Sequence, residues 1–331
     1  MAEGTRPALP AREPSEHERL ALQRGDEALL ALMIARRYYL QDQSKVAIAQ
    51  TLGLSRFQVA RLLQEARRDG LVRIEVGRPG RIDQELSTRV RHALGIERAV
   101  VVETSPRDRH STIDLVGGAL AEVLAEESPE GAVLGMTWSR AVTVVAERVQ
   151  RLRTGPVLQL AGAMYPPEGL PGSVEVVRMI AAASGTTAHP IYSPLLVPDA
   201  GTADGLRRQP EIASAMARFG QLQVALLSVG AWLPGQSAVY DLLTPAERTR
   251  LARAGACGEI SGRVFDSDGG LVPSDLDDRV VGIDAETLRA VPRLITSSYG
   301  AQRAQATRAA VAAGFVHVLV TDDELAHALL S

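Results

Sequence analysis

The sequence predicts an α/β chain: a small N-terminal helix-turn-helix domain, then a large domain built on a mostly parallel sheet. Three observations carry that expectation. Between residues 26 and 70 three helix-period segments follow one another with Ser and Gly at their ends. From Arg98 onward, short β-branched runs alternate with helical stretches, the pattern of βαβ units. Basic charge is confined to one part of the chain. Residues 29–81 hold ten Lys/Arg against four acids, a local +6 in a chain of net charge -3, so the remainder carries about -9.

Residues 1–25, rich in Pro, Glu and Arg, are expected to form a flexible tail. A domain over 26–77 opens with "EALLALMIARRYYLQ", continues with "SKVAIAQTL" and reaches "LSRFQVARLLQEARR". Ser44 and Ser55 are expected N-caps, Gly53 breaks the chain between the second and third helices, and Gly70 ends the third. Helix, short Gly-containing turn, helix is the helix-turn-helix arrangement. "LVRIEV" over 71–76 alternates like a wing or linker strand, "GRPG" breaks the pattern, and "RIDQELSTRVRHALG" reads as a connecting helix, giving a linker over 78–97. The domain over 98–331 has strand-like runs "AVVVE", "AVLGMTW", "VLQLAGAM", "VALLSVGAW", "RLITSSYG" and "HVLVTD". Helical spacing starts near Thr112, Ser139, Ser173, Thr244 and Ala301.

The third helix has two unlike faces. At about 100° per residue, Val59, Leu62, Leu63 and Ala66 fall within about 60° either side of one direction, a buried face. Phe57, Arg61, Gln64 and Arg68 fall on the opposite side at i, i+4, i+7 and i+11. Arg and Gln alone would suit any wet helix surface, but a phenylalanine in that stripe would not. In a DNA major groove Arg forks onto guanine, Gln onto adenine, and a ring packs on a thymine methyl. Ser55, Arg56, Phe57, Gln58, Arg61 and Gln64 are therefore expected to face operator DNA, with Arg61 the main base reader. Lys45, Arg73 and Arg78 would supply phosphate contacts.

Composition excludes several classes. The single cysteine, Cys257, rules out an intrachain disulfide framework and a Cys-cluster metal site. The N-terminal residues lack a signal-peptide pattern, and no apolar run approaches the ~20 residues that span a bilayer, so a cytoplasmic address and no membrane partner are expected. No cofactor or metal is expected: the six histidines show no ligand spacing, and the DSDGG run over 266–270 lacks the spacing and terminal Glu of an EF-hand. Trp138 and Trp232 could stack on a sugar ring or pack in the core, and packing is the commoner outcome.

"ARRYYLQDQSKVAIAQTLGLSRFQVARLLQEARRDGLVRIEV" resembles the N-terminal domain of the SorC family of bacterial transcription regulators. The resemblance continues in "AVLGMTWSRAV", "VLQLAGAM", "GACGEISGRVFDSDG", "DRVVGIDAETLRAVPRLI" and "GAQRAQATRAAVAAGFVHVLVTDDELAHALL". It implies a Rossmann-like domain, related to sugar-phosphate isomerases, that binds a sugar or sugar phosphate and self-associates as a dimer or tetramer. Ligands of such sheets lie at the carboxyl ends of the strands, here "GMTWSR", "QLAGAM", "VGAW" and "SSYGAQR". Carried onto those positions, the resemblance makes Thr137 and Ser139 donors at the first loop and Glu259 an acceptor for sugar hydroxyls. Gln159 keeps two readings, ligand contact or strand residue at the core edge. Asp266 also keeps two, ligand contact or cap of its own turn. Arg303 stands where the family commonly has Lys; it still pairs with phosphate, through a fork rather than a compact charge.

The leading expectation is a transcription regulator, not an enzyme, whose operator affinity is set by a small phosphorylated metabolite. The alternative is a sugar-phosphate isomerase or deaminase carrying a DNA-binding domain, for which the loops offer Glu259 and Asp266 but no convincing acid partner. Arg61→Ala is expected to weaken operator binding by about 1–3 kcal/mol while leaving ligand-induced thermal stabilisation intact, and Arg303→Ala to do the reverse. Gel retardation and thermal shift read the two effects separately, and unchanged retardation by the Arg61 variant would contradict the assigned stripe.

Overall fold

The computed structural model describes residues 27–39, 41, 43–72, 81–104, 111–149, 152–164, 166 and 169–331. The expected tail over 1–25, Arg73, Arg78, the strand-like residues 73–76 and the break at 77–80 lie outside the described residues. The chain divides into two units, residues 1–77 and 78–331.

In the first unit the helices are α1 (Glu27–Tyr39), α2 (Lys45–Leu52) and α3 (Arg56–Arg68). Two serines fix where the last two begin. Ser44 Oγ accepts from Ala47 N, and Ser55 and Gln58 form a reciprocal capping box. Between them Gly53 sits at φ 66, a left-handed conformation that lets α2 stop and the chain turn sharply into α3. Apolar side chains at helical spacing then close one core: Leu30 and Ile34 from α1, Ile48 and Leu52 from α2, Val59, Leu62, Leu63 and Ala66 from α3.

The second unit begins with α4 (Gln84–Leu94), capped by Asp83. The main sheet contains β1 (Arg98–Val102), β2 (Leu134–Met136), β3 (Val157–Gln159), β4 (Ala188–His189) and β5 (Val224–Ser228). A separate antiparallel sheet contains β6 (Gly230–Ala231), β7 (Gly258–Ile260) and β8 (Arg263–Phe265). The main sheet is completed by β9 (Arg293–Ser297) and β10 (Val318–Asp322), in the order β1-β10-β9-β5-β2-β3-β4, with every pairing parallel. The remaining α-helices are α5 (Thr112–Glu127), α6 (Arg140–Arg148), α7 (Ser173–Ser184), α8 (Ala200–Arg207), α9 (Pro210–Met216), α10 (Ala238–Leu242), α11 (Pro245–Arg253), α12 (Leu276–Arg279), α13 (Ala285–Arg289), α14 (Ala304–Ala312) and α15 (Asp323–Leu330).

Alternation along the strands sorts their side chains onto two faces. Val224 and Leu226 join the apolar cluster built with α5, α6 and α7, whereas Ala225 and Leu227 join the one built with α4, α14 and α15. Helix α4, expected as a connector, is packed into this unit through Leu86 and Val90. Ser87 Oγ accepts from Val101 N at 2.9 Å, satisfying a donor on the edge strand β1.

Two expectations about strands are corrected. "VALLSVGAW" is not one strand but two, in different sheets, because the chain leaves the parallel sheet after Ser228 and pairs Gly230 with Glu259. The "GEISGRVF" stretch, read only as a motif, is an antiparallel hairpin. The short β4 and the helices α8 and α9 were also not expected; the latter two start at an Asp199 cap and at Pro210 in the first turn.

Outside the sheet, α11 is tied to α12 through one carboxylate. Thr244 donates its N–H at 2.8 Å and its hydroxyl at 2.6 Å to Glu247 Oε2, and Arg279 Nη1 reaches Glu247 Oε1 at 2.6 Å. These bonds, the Thr244 hydroxyl first and then Arg279, hold the Glu247 carboxyl down at about 2, against 4.5 for the free side chain. A depressed folded-state value means the contribution is present above pH 4.5 and is lost as pH falls through about 2. Glu247→Gln is therefore expected to cost roughly 1–2 kcal/mol near neutral pH, discounted for partial exposure, with a loss that shrinks toward pH 2. Thermal unfolding of both proteins across that range checks it; a pH-independent difference would contradict the assignment.

Candidate functional site

A cavity of about 430 Å³ opens at the carboxyl ends of β2, β5 and β9, where the loops after three parallel strands converge with the β7–β8 hairpin. Its floor is a line of hydroxyls on neighbouring strands. Ser228 donates to Ser139 Oγ at 2.7 Å and shares a 2.6 Å hydrogen bond with Ser297 Oγ. Ser139 is the N-cap of α6, accepting from Val142 N at 3.1 Å, so the free N–H groups of that helix start also face this end of the sheet. Thr137, buried, precedes it in the same loop and donates its backbone N–H to Leu226 O at 3.1 Å.

Arg303 supplies the cavity's buried positive charge. It closes a short 3-10 turn, Ala301–Arg303, and is only 5% exposed. Its Nη1 donates to Tyr299 O, and the guanidinium stacks over the Tyr299 ring at 4.6 Å from the centroid. No carboxylate among the described residues forms an ion pair with it. Burial pushes its pKa down, Tyr299 pulls it up, neighbouring Arg140 pushes down again and the Asp322 carboxylate, beyond ion-pair distance, pulls up; a guanidinium stays charged regardless. Asp322 fixes the loop that carries it, accepting from Gly300 N at 3.1 and 3.2 Å while capping α15 through Leu325 N at 3.1 Å.

On the hairpin side stands Glu259, 8% exposed. Its Oε1 accepts from Ser237 Oγ at 2.9 Å and its Oε2 from Gly262 N at 3.1 Å. Burial raises its pKa, and these two bonds oppose the rise. Gly230 makes room for the carboxylate: a Cβ there would lie 2.4 Å from Glu259 Oε1 and 2.9 Å from Ser237 Cβ. The cavity is thus lined by a buried cation, a carboxylate and several hydroxyls, which suits a small molecule carrying an anionic group and several hydroxyls.

Of the sequence-predicted residues, Thr137, Ser139, Glu259 and Arg303 line this cavity. Gln159 does not. Its amide donates to Ala161 O at 2.6 Å and accepts from Ile191 N at 3.2 Å, so it is a strand residue at the core edge. Asp266 does not either; its Oδ1 accepts from Asp268 N at 3.0 Å and Gly270 N at 2.9 Å, closing its own turn. Trp138 borders the cavity with Nε1 donating to Pro171 O, whereas Trp232 packs edge-on against Tyr240. Residue-level reading missed Arg140, Ser228, Ser237, Asp241, Ser297 and Tyr299. The strand-end rule had marked the segments holding Arg140, Ser297 and Tyr299, but nothing in a serine's spacing says which way its hydroxyl turns.

In the first unit, α3 presents Phe57 at 86% exposure. Arg56 and Gln64 are exposed and engaged by no other described residue. Arg61 is not free: its Nη2 pairs with Glu27 at 2.9 Å and its Nη1 with Glu65 at 3.3 Å. Gln58 is turned back onto Ser55 N at 2.8 Å, and Ser55 onto Gln58 N, so both side chains serve the cap. Lys45 lies over the Tyr38 ring at 5.4 Å. Among the described residues no group of three or more His, Cys, Asp or Glu is placed to hold a metal, and no helix is long and apolar enough to cross a membrane.

A family model described as "Putative sugar-binding domain" matches residues 81–331. The chain is 26% identical over 305 residues to the deoxyribonucleoside regulator of Bacillus subtilis (strain 168), covering 91% of this chain and 97% of that protein. It is 24% identical over 317 residues to the sorbitol operon regulator of Klebsiella pneumoniae, covering 93% and 100%. The crystal structure of that full-length regulator, SorC, superposes with a TM-score of 0.67 over 92% of this chain and 100% of that one; at 24% identity this shows a shared fold.

Gly230→Ala is expected to displace the Glu259 carboxylate or the β6–β7 pairing, and overpacking of this kind costs about 1–3 kcal/mol. Thermal unfolding of the full chain measures the loss, and an unchanged melting temperature would show that the hairpin gives way freely.

Proposed function

This chain belongs to the SorC family of regulators that carry the sugar-binding domain, and on that premise we propose that it is a DNA-binding transcription regulator whose operator affinity is set by a small phosphorylated sugar or related anionic metabolite. The observation that carries the effector class is Arg303, a buried guanidinium that forms no ion pair with any described carboxylate and lines a cavity that Glu259 also lines. An unpaired buried charge is costly, and an anionic ligand removes that cost. Ser139 at the start of α6 and Arg140 beside it add N–H groups and charge to the same end. Glu259, Ser237 and Asp241 then take sugar hydroxyls.

In the proposed division, residues 26–77 bind DNA, 78–97 join the parts, and 98–331 bind effector and self-associate as a dimer or tetramer in the cytoplasm. Pairing of two helix-turn-helix units follows from specificity, since one recognition helix reads few bases. Phe57, Arg56 and Gln64 meet base edges and phosphates. Arg61 joins them by exchanging its pairs with Glu27 and Glu65, which as exposed ion pairs are weak and replaceable. Ser55 and Gln58 act indirectly, by fixing where α3 starts, and Lys45 serves phosphates. Effector must bind two arrangements of the assembly unequally, because differential affinity alone shifts an equilibrium.

A thermal-shift panel of sugar phosphates, the matching free sugars and inorganic phosphate, followed by mass analysis of the recovered compounds, tests this. At about 100-fold over Kd a bound effector stabilises by roughly 2.7 kcal/mol, a rise of about 5–10 °C for a domain of this size. Phosphorylated compounds should produce it and be recovered unchanged. Equal shifts from the free sugars would remove the anion requirement, and turnover would favour the enzyme reading.

A further inference from the structure

The cavity has a wall that the chemistry of the anion and the hydroxyls does not use. Ala161, Met164, Leu195, Val239 and Leu242 all line it. Four of these form one surface: Ala161, Leu195 and Val239 belong to a single buried apolar cluster, and Met164, half-buried, packs against it. Leu242, three residues beyond Val239 on α10, extends that surface outward and is 49% exposed. Single exposed leucines are ordinary on a protein surface. This one continues a buried cluster into the cavity that holds Arg303, so it is part of a lining rather than a scattered contact.

Polar groups on the same segment are largely occupied. Ser237 Oγ donates to Glu259 at 2.9 Å and accepts from Tyr240 N at 3.0 Å, Gln236 accepts from Gln302 at 3.3 Å, and Asp241 Oδ1 accepts from Gly235 N at 3.1 Å. Trp138, also lining the cavity, spends its one donor on Pro171 O and offers only ring carbon. A ligand hydroxyl that displaced one of these bonds would exchange it for another and gain little. Set against Met164 or Leu242, the same hydroxyl loses its water and finds no partner, which is a net cost. A carbon without a hydroxyl gains there, because water leaves both surfaces.

We infer that the effector is amphiphilic: besides its anionic group it carries an apolar segment, carbons without hydroxyls, that packs on Met164 and Leu242. These two side chains then determine specificity against sugar phosphates hydroxylated at every carbon. The inference rests on the cavity being the effector site and narrows the class of compound that the site takes. Discrimination follows from the unequal treatment of the two carbon types, since an apolar wall leaves a buried hydroxyl unmet and rewards its absence.

Titration of the full chain with inorganic phosphate, with alkyl phosphates from methyl to pentyl and with ribitol 5-phosphate tests this, followed by thermal unfolding, in the parent and in Leu242→Gln and Met164→Gln. In the parent, affinity should climb along the longer alkyl phosphates by about fourfold for each methylene that reaches the wall. Each variant, close in shape but polar, should flatten that climb while leaving inorganic phosphate binding unchanged. Ribitol 5-phosphate, with a hydroxyl on every carbon not bearing phosphate, should keep its affinity or gain from either substitution. Leu242, half exposed, can be replaced without loss of the fold, so at least one variant remains informative. An alkyl series that is flat in the parent while inorganic phosphate binds overturns this inference alone. An undiminished climb in both variants, or a loss shared equally by ribitol 5-phosphate and inorganic phosphate, overturns the role of the two side chains. If none of the compounds binds the parent protein, the effector reading itself fails and the amphiphilic ligand falls with it.

Discussion

Everything in the larger unit follows from one constraint, the parallel register of seven strands that must be covered on both faces. A parallel pair cannot be joined by a tight turn, so each strand is followed by an excursion across a face, and the carboxyl ends gather along one edge. The apolar alternation in β5, with Val224 and Leu226 on one side and Ala225 and Leu227 on the other, meets the covering requirement with the smallest vocabulary of residues. Once β2, β5 and β9 lie side by side, Ser139, Ser228 and Ser297 have no choice but to be neighbours. The cavity is a by-product of strand order before it is a binding site.

How much was legible in the sequence depends on whether a feature is local. Caps and turns are local, which is why Ser44, Gly53 and Ser55 could be placed by inspection and the helix-turn-helix pattern of the first unit follows from them. The α/β class is legible for the same reason, from period alone. Side-chain destinations are not local. Gln159 and Asp266 looked like ligand residues as readily as Glu259 did, and only the fold shows Gln159 and Asp266 turned onto backbone groups outside the cavity while Glu259 lines it. The split of "VALLSVGAW" was hidden because β5 and β6 share one unbroken apolar pattern, while the break depends on Glu259, far along the chain, packing where Gly230 has no side chain. Arg61 was placed on the correct face by its phase, yet its engagement by Glu27 depends on how α1 crosses α3, which no spacing within α3 encodes.

Two arginines show how differently one side chain behaves in wet and dry surroundings. Arg61 has two carboxylate partners and is exposed, so its pairs are weak and replaceable. Arg303 has no carboxylate partner and is buried, held by a carbonyl and a ring that satisfy part of its fork and little of its charge. The first is a group that can change partners without disturbing the fold; the second is a fixed electrostatic demand. The same guanidinium thus serves once as a replaceable surface contact and once as a fixed buried charge.

Strand order also bears on how the polypeptide reaches its native state during synthesis. Strand β1 is made early but sits at the edge of the sheet beside β10, so that Arg98 has no strand partner until Val318 has been made. The same late segment carries Asp322, which holds the Gly300 loop and, through it, the position of Arg303. On the ribosome the N-terminal helices can close their core as soon as they emerge, while the larger unit waits, with β9 lacking one neighbour and an incomplete anion end, for a strand more than two hundred residues downstream. Such a chain completes its three-helix core first and its main sheet last. During the interval between the two, the apolar faces of an unfinished sheet stay open to association.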